Sequence, residues 1–454
     1  MNHSEPIRNA RSLGIPKMLI LGLQHMFAMF GATVLVPILV QSYGLPLSIQ
    51  TTLLFAGIGT LFFHVCTKLK VPAFLGSSFA YLGGFQAVAN LNSGMYANMT
   101  GAEKLPYALG GIVVAGLLYV VLAAVIKLVG VKKVMRFLPP VVTGPIIILI
   151  GLNLAPSAVS NASTCWWLAL VAMAIIVVAN IWGKGMVKII PILLGVVAAY
   201  LAAALAGQVD FTPVREAAWI GLPVHMENTV FSLIGNADPG LLVTSIITIM
   251  PIALATMIEH IGDICAISST CQRNFLQDPG LHRTLVGDGL ATSLAALFGG
   301  PANTTYGENT GVLALSKVYD PRVIRIAAIL AILLSFSPKF AALISAMPAA
   351  TMGGVSLVLY GMISAVGVRN VVENRVDFTS SRNVIIAALI LVLSIGIAFS
   401  AAGAVAFQVG SATISLSGLA VAALTGILLN AVLPGMDYEF GTDLQGDTSV
   451  NFKV

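Results

Sequence analysis

The 454-residue chain is 57% hydrophobic and only 9% charged, with a net charge of +5, whereas soluble proteins carry roughly 25% charged residues. That excludes a soluble domain and makes the lipid bilayer its solvent, so the surplus of Lys and Arg sets topology and does not mark a nucleic-acid partner. At about 20 apolar residues per crossing, the length holds around a dozen helices or slightly more in one unit.

Arg8, Arg11 and Lys17 precede a long apolar run that lacks a small-residue cleavage site, which predicts a first transmembrane helix and not a removed signal. Apolar stretches near 18–40, 50–66, 107–129, 137–154, 165–182, 188–207, 242–265, 284–299, 322–345, 350–368, 383–402 and 412–433 predict twelve ordinary spans. Two further segments, 72–90 and 302–317, are apolar overall but broken, at Gly76-Ser77-Ser78-Phe79 and at Asn303-Thr304-Thr305-Tyr306-Gly307. They bring the expected crossings to fourteen.

With the N-terminus inside, the clusters Lys68/Lys70, Lys127/Lys132/Lys133/Arg136, Lys184/Lys188, Arg273/Arg283, Lys317/Arg322/Arg325 and Arg369/Arg375/Arg382 all fall on one side. Only Lys104, Arg215 and Lys339 fall on the other, and a wrong count of crossings would scramble that bias. Both termini are then expected in the cytoplasm, with residues 434–454 as a solvated tail that is acidic from Asp437 to Asp447. Cys66, Cys165, Cys265 and Cys271 lie in or beside apolar runs without ligand-like spacing, so they are expected as packing residues and no metal or cofactor is implied.

The two broken segments resemble each other. Ser77-Ser78-Phe79-Ala80 and Thr304-Thr305-Tyr306-Gly307 share the order hydroxyl, hydroxyl, aromatic, small, half a chain length apart. Each is the third span of seven. Gln24-His25 against Glu259-His260, and Leu138-Pro139 against Met347-Pro348, repeat the pattern more weakly. Seven is odd, so repeats at 18–207 and 242–433 face opposite ways, and paired broken spans in inverted repeats point to a secondary transporter with its site near the midplane. Interrupted backbone must line a cavity or be buried in protein; the competing explanation is that the small residues only permit tight helix packing.

Acidic residues within the spans cluster in the second half: Glu259 and Asp263 in span eight, Asp288 near the start of span nine, and Glu308 beside the break of span ten. A charge at the bilayer centre costs roughly 2.5 to 3.5 kcal/mol on insertion scales, so each needs a partner or a function. Glu259 and Asp263, four apart, share one helical face. Such carboxylates can accept N–H bonds from a polar heterocycle or amide, and can take up a proton when desolvated. His25 and His260 are either structural hydrogen-bonding groups or proton carriers. His64 is expected at the membrane interface, and Asp288 either caps a helix, pairs with Arg283 or touches substrate. No phosphate loop, nucleophile elbow or His-Glu-x-x-His pattern is present in the sequence, so an ion gradient and not ATP is expected to drive the protein, and no enzyme is expected.

Several runs give the chain a familiar cast: Gln24-His25 with Ala28-Met29-Phe30-Gly31-Ala32-Thr33, Gly76-Ser77-Ser78-Phe79, Pro279-Gly280-Leu281-His282-Arg283, and Asn303-Thr304-Thr305-Tyr306-Gly307-Glu308-Asn309-Thr310-Gly311. Over nearly its whole length it resembles the nucleobase-ascorbate transporter (nucleobase-cation symporter-2) family, and within it the bacterial uracil permeases. The resemblance implies an all-α polytopic membrane protein of about fourteen segments in a seven-plus-seven inverted repeat. It further implies short strands in segments three and ten, and a core domain moving against a gate domain.

By position, the resemblance makes Glu259 and Glu308 the side chains that bind the base, with backbone hydrogen bonds at Phe79 and Gly307 and apolar packing from Ala32 and Tyr360. Glu308, Asp263 and His25 become the proton-coupling candidates. It implies uracil:proton symport without a cofactor, with uracil and membrane lipid as partners and a homodimer as the assembly. Two departures are present: Glu308-Asn309-Thr310-Gly311 is followed by Ser316-Lys317 where the family signature has Thr, and Asp263 stands where uracil carriers carry His and purine carriers Asp. Asp263 therefore keeps xanthine or uric acid symport open, and an anion exchanger or channel of the same architecture is the alternative from another class.

Overall fold

The apolar runs are punctuated by proline and capping residues, and the helices start there. The computed structural model describes residues 6–91, 98–235, 237–400, 403–409 and 412–435. The first half runs through α1 (Ile15–Ser42), α2 (Ile49–Cys66), strand β1 (Leu75–Ser77), α3 (Leu82–Ala89), α4 (Gly101–Val129) and the short α5 (Val131–Met135). It continues through α6 (Pro140–Ser163), α7 (Trp166–Ile181), the short α8 (Met186–Ile189), α9 (Pro191–Leu205) and a connection carrying α10 (Thr212–Glu216). The second half runs through α11 (Pro239–Ile249), α12 (Ala253–Cys271), α13 (Leu281–Leu297), β2 (Asn303–Thr305), α14 (Gly307–Ser316), α15 (Pro321–Ser335) and α16 (Pro338–Ser345). It ends with α17 (Ala349–Glu373), α18 (Ser381–Ala398), the hairpin β3 (Ala404–Val409) and β4 (Ala412–Ser417), and α19 (Gly418–Val432).

Local sequence explains the starts. Ser48 and Asp238 accept from the backbone N–H three residues on, and Thr100 with Glu103 forms a full capping box. Proline occupies the first turn of α1, α6, α9, α11, α15 and α16, where its missing N–H costs no intrahelical bond.

The chain is an integral membrane protein. Among the described residues, seven helices are long and apolar enough to cross a bilayer, or up to eight when a bent pair counts as one. Three expected spans take a different form. Stretch 242–265 is reached through α11 and a 3-10 turn at Met250–Ile252 before α12 begins. Stretch 322–345 splits into α15 and α16, bent by 88°, because Pro338 cannot continue the first helix and Ser337 caps the second. Stretch 412–433 opens in β4, whose alternating apolar and hydroxyl residues have the period of a strand, and only then becomes helix. The acidic run from Asp437 to Asp447 lies outside the described residues.

Helix packing divides into two sets. One contains α1 to α4 with β1, and α11 to α15 with β2; the other contains α6, α7, α9, α17, α18 and α19. Exchanging each span for its counterpart seven spans on preserves the most extensive pairings. The α2–α15 pair becomes α13–α4, α7–α9 becomes α18–α19, and α17–α7 becomes α6–α18, while α6–α17 and β1–β2 map onto themselves. Close approach depends on small residues: a Cβ at Gly353 of α17 would collide with the Ala162 backbone, and one at Gly151 of α6 with the Tyr360 carbonyl.

Candidate functional site

The broken spans supply each other's missing backbone partners. β1 and β2 pair antiparallel with Leu75 opposite Thr305, Gly76 opposite Thr304 and Ser77 opposite Asn303. Ser78 N donates to Ala302 O at 2.8 Å and Tyr306 N to Phe74 O at 3.0 Å, extending the ladder at both ends. The outer edges are closed by hydroxyls from corresponding helices. Thr60 of α2 accepts from Leu75 N (2.8 Å) and donates to Leu75 O (3.2 Å), while Thr292 of α13 accepts from Asn303 N (3.2 Å) and donates to Asn303 O (3.0 Å). Buried backbone that no helix satisfies is thus paired by protein, as a bilayer requires.

A polar knot joins α1 to the crossing. The Tyr306 hydroxyl donates to Ser77 O (2.9 Å), Ser77 Oγ donates to Thr33 O (2.8 Å), and Thr33 Oγ1 lies 3.3 Å from the Tyr306 hydroxyl. Gly76 is required here, since a Cβ would enter the Tyr306 ring.

From this crossing the half-helices α3 and α14 depart. Neither has a side-chain cap at its N-terminus; Leu82 N turns back to Phe79 O, and the positive ends of both helix dipoles lie beside the crossed strands. Gly83 and Gly307, in those first turns, have no atom within 4 Å of where a Cβ would stand. Gly307 opens α14 and is exposed.

The expected site residues gather around this point to different degrees. Ala32 is fully buried on α1 beside Thr33. Phe79, between β1 and α3, meets Tyr360 of α17 edge to face, with ring centroids 5.8 Å apart, so this aromatic contact bridges the two packing sets. Glu259 and Asp263 are half-buried on α12, which packs against β2 and α14. Asp263 Oδ2 accepts from Thr305 Oγ1 at 2.7 Å. Glu308 is the second residue of α14, and its side chain lies outside the described residues. His25 is fully buried, and Asn309 Nδ2 donates to its carbonyl (3.0 Å) and lies 3.2 Å from its Nδ1. These contacts tie α1 to α14.

His64, near the end of α2, is fully buried with Nε2 2.9 Å from Ala73 O, because the connection after α2 folds back over it. One expectation is corrected. Asp288 does not pair with Arg283, which donates to Cys66 O instead. It is fully buried with Oδ2 2.8 Å from His260 Nδ1, a close but poorly aligned contact whose ring partner sits among Phe63 and Tyr119. Sequence reasoning missed this pair and the Thr60 and Thr292 braces. The adjacent Glu259-His260 held the signal, since neighbours on a helix point about 100° apart and serve different partners.

Cavities of about 360 Å³ at Cys66, Lys127 and Arg283 and about 330 Å³ at Lys133, Arg136 and Phe137 lie elsewhere. Among the described residues no three His, Cys, Asp or Glu side chains cluster as metal ligands.

A family model described as Permease family (Xan_ur_permease) matches residues 16–403. The chain is 44% identical over 426 residues to a uracil permease of Bacillus caldolyticus, covering 91% of each. It is 40% identical over 440 residues to a uracil permease of Bacillus subtilis, covering 94% of each. Among solved structures it is similar in fold to the transmembrane domain of a cyanobacterial bicarbonate transporter, BicA, with a TM-score of 0.57 and 15% identity, covering 94% of this chain and 99% of that one.

Proposed function

Because the chain belongs to this permease family, the nucleobase-ascorbate transporters, we propose that it is a secondary carrier importing uracil together with protons across a bacterial inner membrane. The observation that carries this proposal is the crossing of β1 and β2, which sets two uncapped half-helices beside the α12 face that bears Glu259 and Asp263. Uracil alternates N–H donors with C=O acceptors. Glu259 and Glu308 accept its N–H groups, the backbones at Phe79 and Gly307 complete its edge, and Ala32 and Tyr360 pack its ring. The names of the two bacillary relatives, similar over more than nine tenths of the chain, support the same cargo.

Transport needs the two packing sets to move against each other. The set holding the crossed strands is the core and the set around α6 and α17 is the gate, with repeats at 18–207 and 242–433. Protonation of Glu308, with Asp263 and His25 as further groups, offsets charge as the loaded core moves. A proton gradient is then the only drive, no cofactor takes part, both termini and the tail 434–454 are cytoplasmic, and the carrier sits among lipids as a homodimer.

Xanthine or uric acid is the second cargo to test, favoured by Asp263 and its 2.7 Å tie to Thr305. An anion carrier is disfavoured because, among the described residues, the charged-type side chain bonded to the break is the carboxyl of Asp263 and not a Lys or Arg. The deciding experiment is uptake of labelled bases into vesicles with and without an imposed pH gradient. Uracil accumulation that collapses with the gradient, and is lost in Glu259→Gln, is expected. Wild-type uptake in that variant removes the site, uptake indifferent to the gradient removes proton symport, and displacement of uracil by xanthine moves the cargo to purines.

A further inference from the structure

Lys104 is one of three cations on the wrong side of the charge bias, and it is only 5% exposed. It occupies the first turns of α4, where the helix dipole disfavours a cation. Its ammonium reaches a neighbouring helix: Nζ donates to Ala89 O at 3.0 Å and to Leu91 O at 2.9 Å, at and just beyond the last residue of α3.

The α3 half-helix needs that partner. It ends at Asn90 in right-handed helical conformation, without a glycine cap. Asn90 N and Leu91 N return to Gln86 O and Val88 O, and the Lys104 ammonium takes Ala89 O. Laterally α3 has little slack, since a Cβ at Gly84 would stand 2.9 Å from Ile252 Cδ1. With eight residues, α3 is about 12 Å long, so a shift along its axis at Ala89 reaches Phe79 and the first-turn N–H groups undiminished.

We infer that Lys104 is the positioning residue of α3: it neutralises the negative end of the half-helix and fixes its axial place, and so sets where the Phe79 backbone meets the transported base. The cargo in this inference rests on the proposed uracil site; the anchoring of α3 does not.

The test compares purified full-length Lys104→Met, Lys104→Arg and Lys339→Met. Lys339, on α16, is a second misplaced cation with the same capping chemistry: it donates to Val214 O (2.8 Å) and lies 5.1 Å over the Trp219 ring, both in the connection that carries α10 and not in the β1–β2 crossing. Lys104→Met is expected to weaken uracil binding about tenfold and to speed amide exchange across residues 82–91. Lys104→Arg is expected to stay within about twofold of wild type, and Lys339→Met to lower Tm while leaving uracil Kd unchanged. Native exchange in α3 of Lys104→Met overturns the inference, as does equal weakening of binding by Lys339→Met. Should the wild-type protein bind no uracil, the cargo reading fails, and α3 exchange alone decides the anchoring.

Discussion

Thr305 Oγ1 donates to Asp263 Oδ2 at 2.7 Å, which fastens strand β2 to α12 one turn beyond Glu259. Leaving a buried donor or acceptor without its partner costs about 1–3 kcal/mol. Thr305→Val keeps the branched shape and removes the donor, so uracil uptake is expected to fall at least about tenfold. Asp263→Asn keeps an acceptor and is expected to fall less. Vesicle uptake at neutral pH measures both, and an unaffected Thr305→Val would show the bond to be idle in transport.

The His260–Asp288 contact predicts an asymmetry. Both side chains are fully buried, and removing one member of such a pair costs about 3–5 kcal/mol when it strands a charge. His260→Ala is therefore expected to lower Tm more than Asp288→Asn, and Asp288→Asn added to His260→Ala is expected to recover part of the loss. Additive losses in thermal unfolding would contradict a coupled pair.

Small residues at the α6–α17 crossing make a second stability prediction. Leu at Gly353 must displace the Ala162 backbone, and overpacking of this kind costs about 1–3 kcal/mol. A Cβ at Gly396 of α18 has nothing within 4 Å, and Leu there is expected to be neutral. Equal Tm values for the two variants would show that the helices do not need their close approach.

Outside the membrane, Asp278 is held 2.5 and 2.6 Å from Lys70 Nζ. The hydrogen bond from Lys70 is the chief cause that depresses its carboxyl below the ordinary value of 3.8, with charges on Lys70, Arg273 and Lys68 adding to it. A depressed carboxylate contributes stability that is present above the unfolded value and lost as pH falls through the folded one. The Tm deficit of Asp278→Asn is expected to be small, since Asp278 is exposed, to be constant above about pH 5, and to vanish in acid. A deficit that grows on acidification would reverse the sign.

Much of this architecture was legible in the residues. The spans followed from apolar length, and the matched breaks at Ser77 and Thr304 announced the crossing, because backbone interrupted within a bilayer has to be paired elsewhere in the protein. Pro139 and Pro348, which echo each other in the sequence, prove to be the N-caps of α6 and α17, the two helices that pack most extensively in the second set. The hairpin at Ala404–Ser417 was obscured because a short alternating strand next to an apolar helix has the same mean hydropathy as a span. The partners of Asp288 and His64 were illegible for a different reason: local sequence offered Arg283 and a helix end, and only packing brought His260 and Ala73 within reach. Lys104 and Lys339, exceptions to the charge rule, are accounted for by the helix carbonyls they cap.

The pairing of Leu75 to Ser77 with Asn303 to Thr305 also carries a consequence for biosynthesis. The ribosome delivers β1 half a chain before β2, a delay on the order of ten to fifty seconds at about 5–20 residues per second. Throughout that interval the nascent first half holds a polar gap in its third span with no strand to close it. Its earliest residues wait as well, for Ile7 N donates to Lys317 O and Ala10 N to the Asp320 carboxylate. Half of this carrier is therefore an unfinished object as it enters the membrane, and insertion machinery must shelter it until its twin arrives.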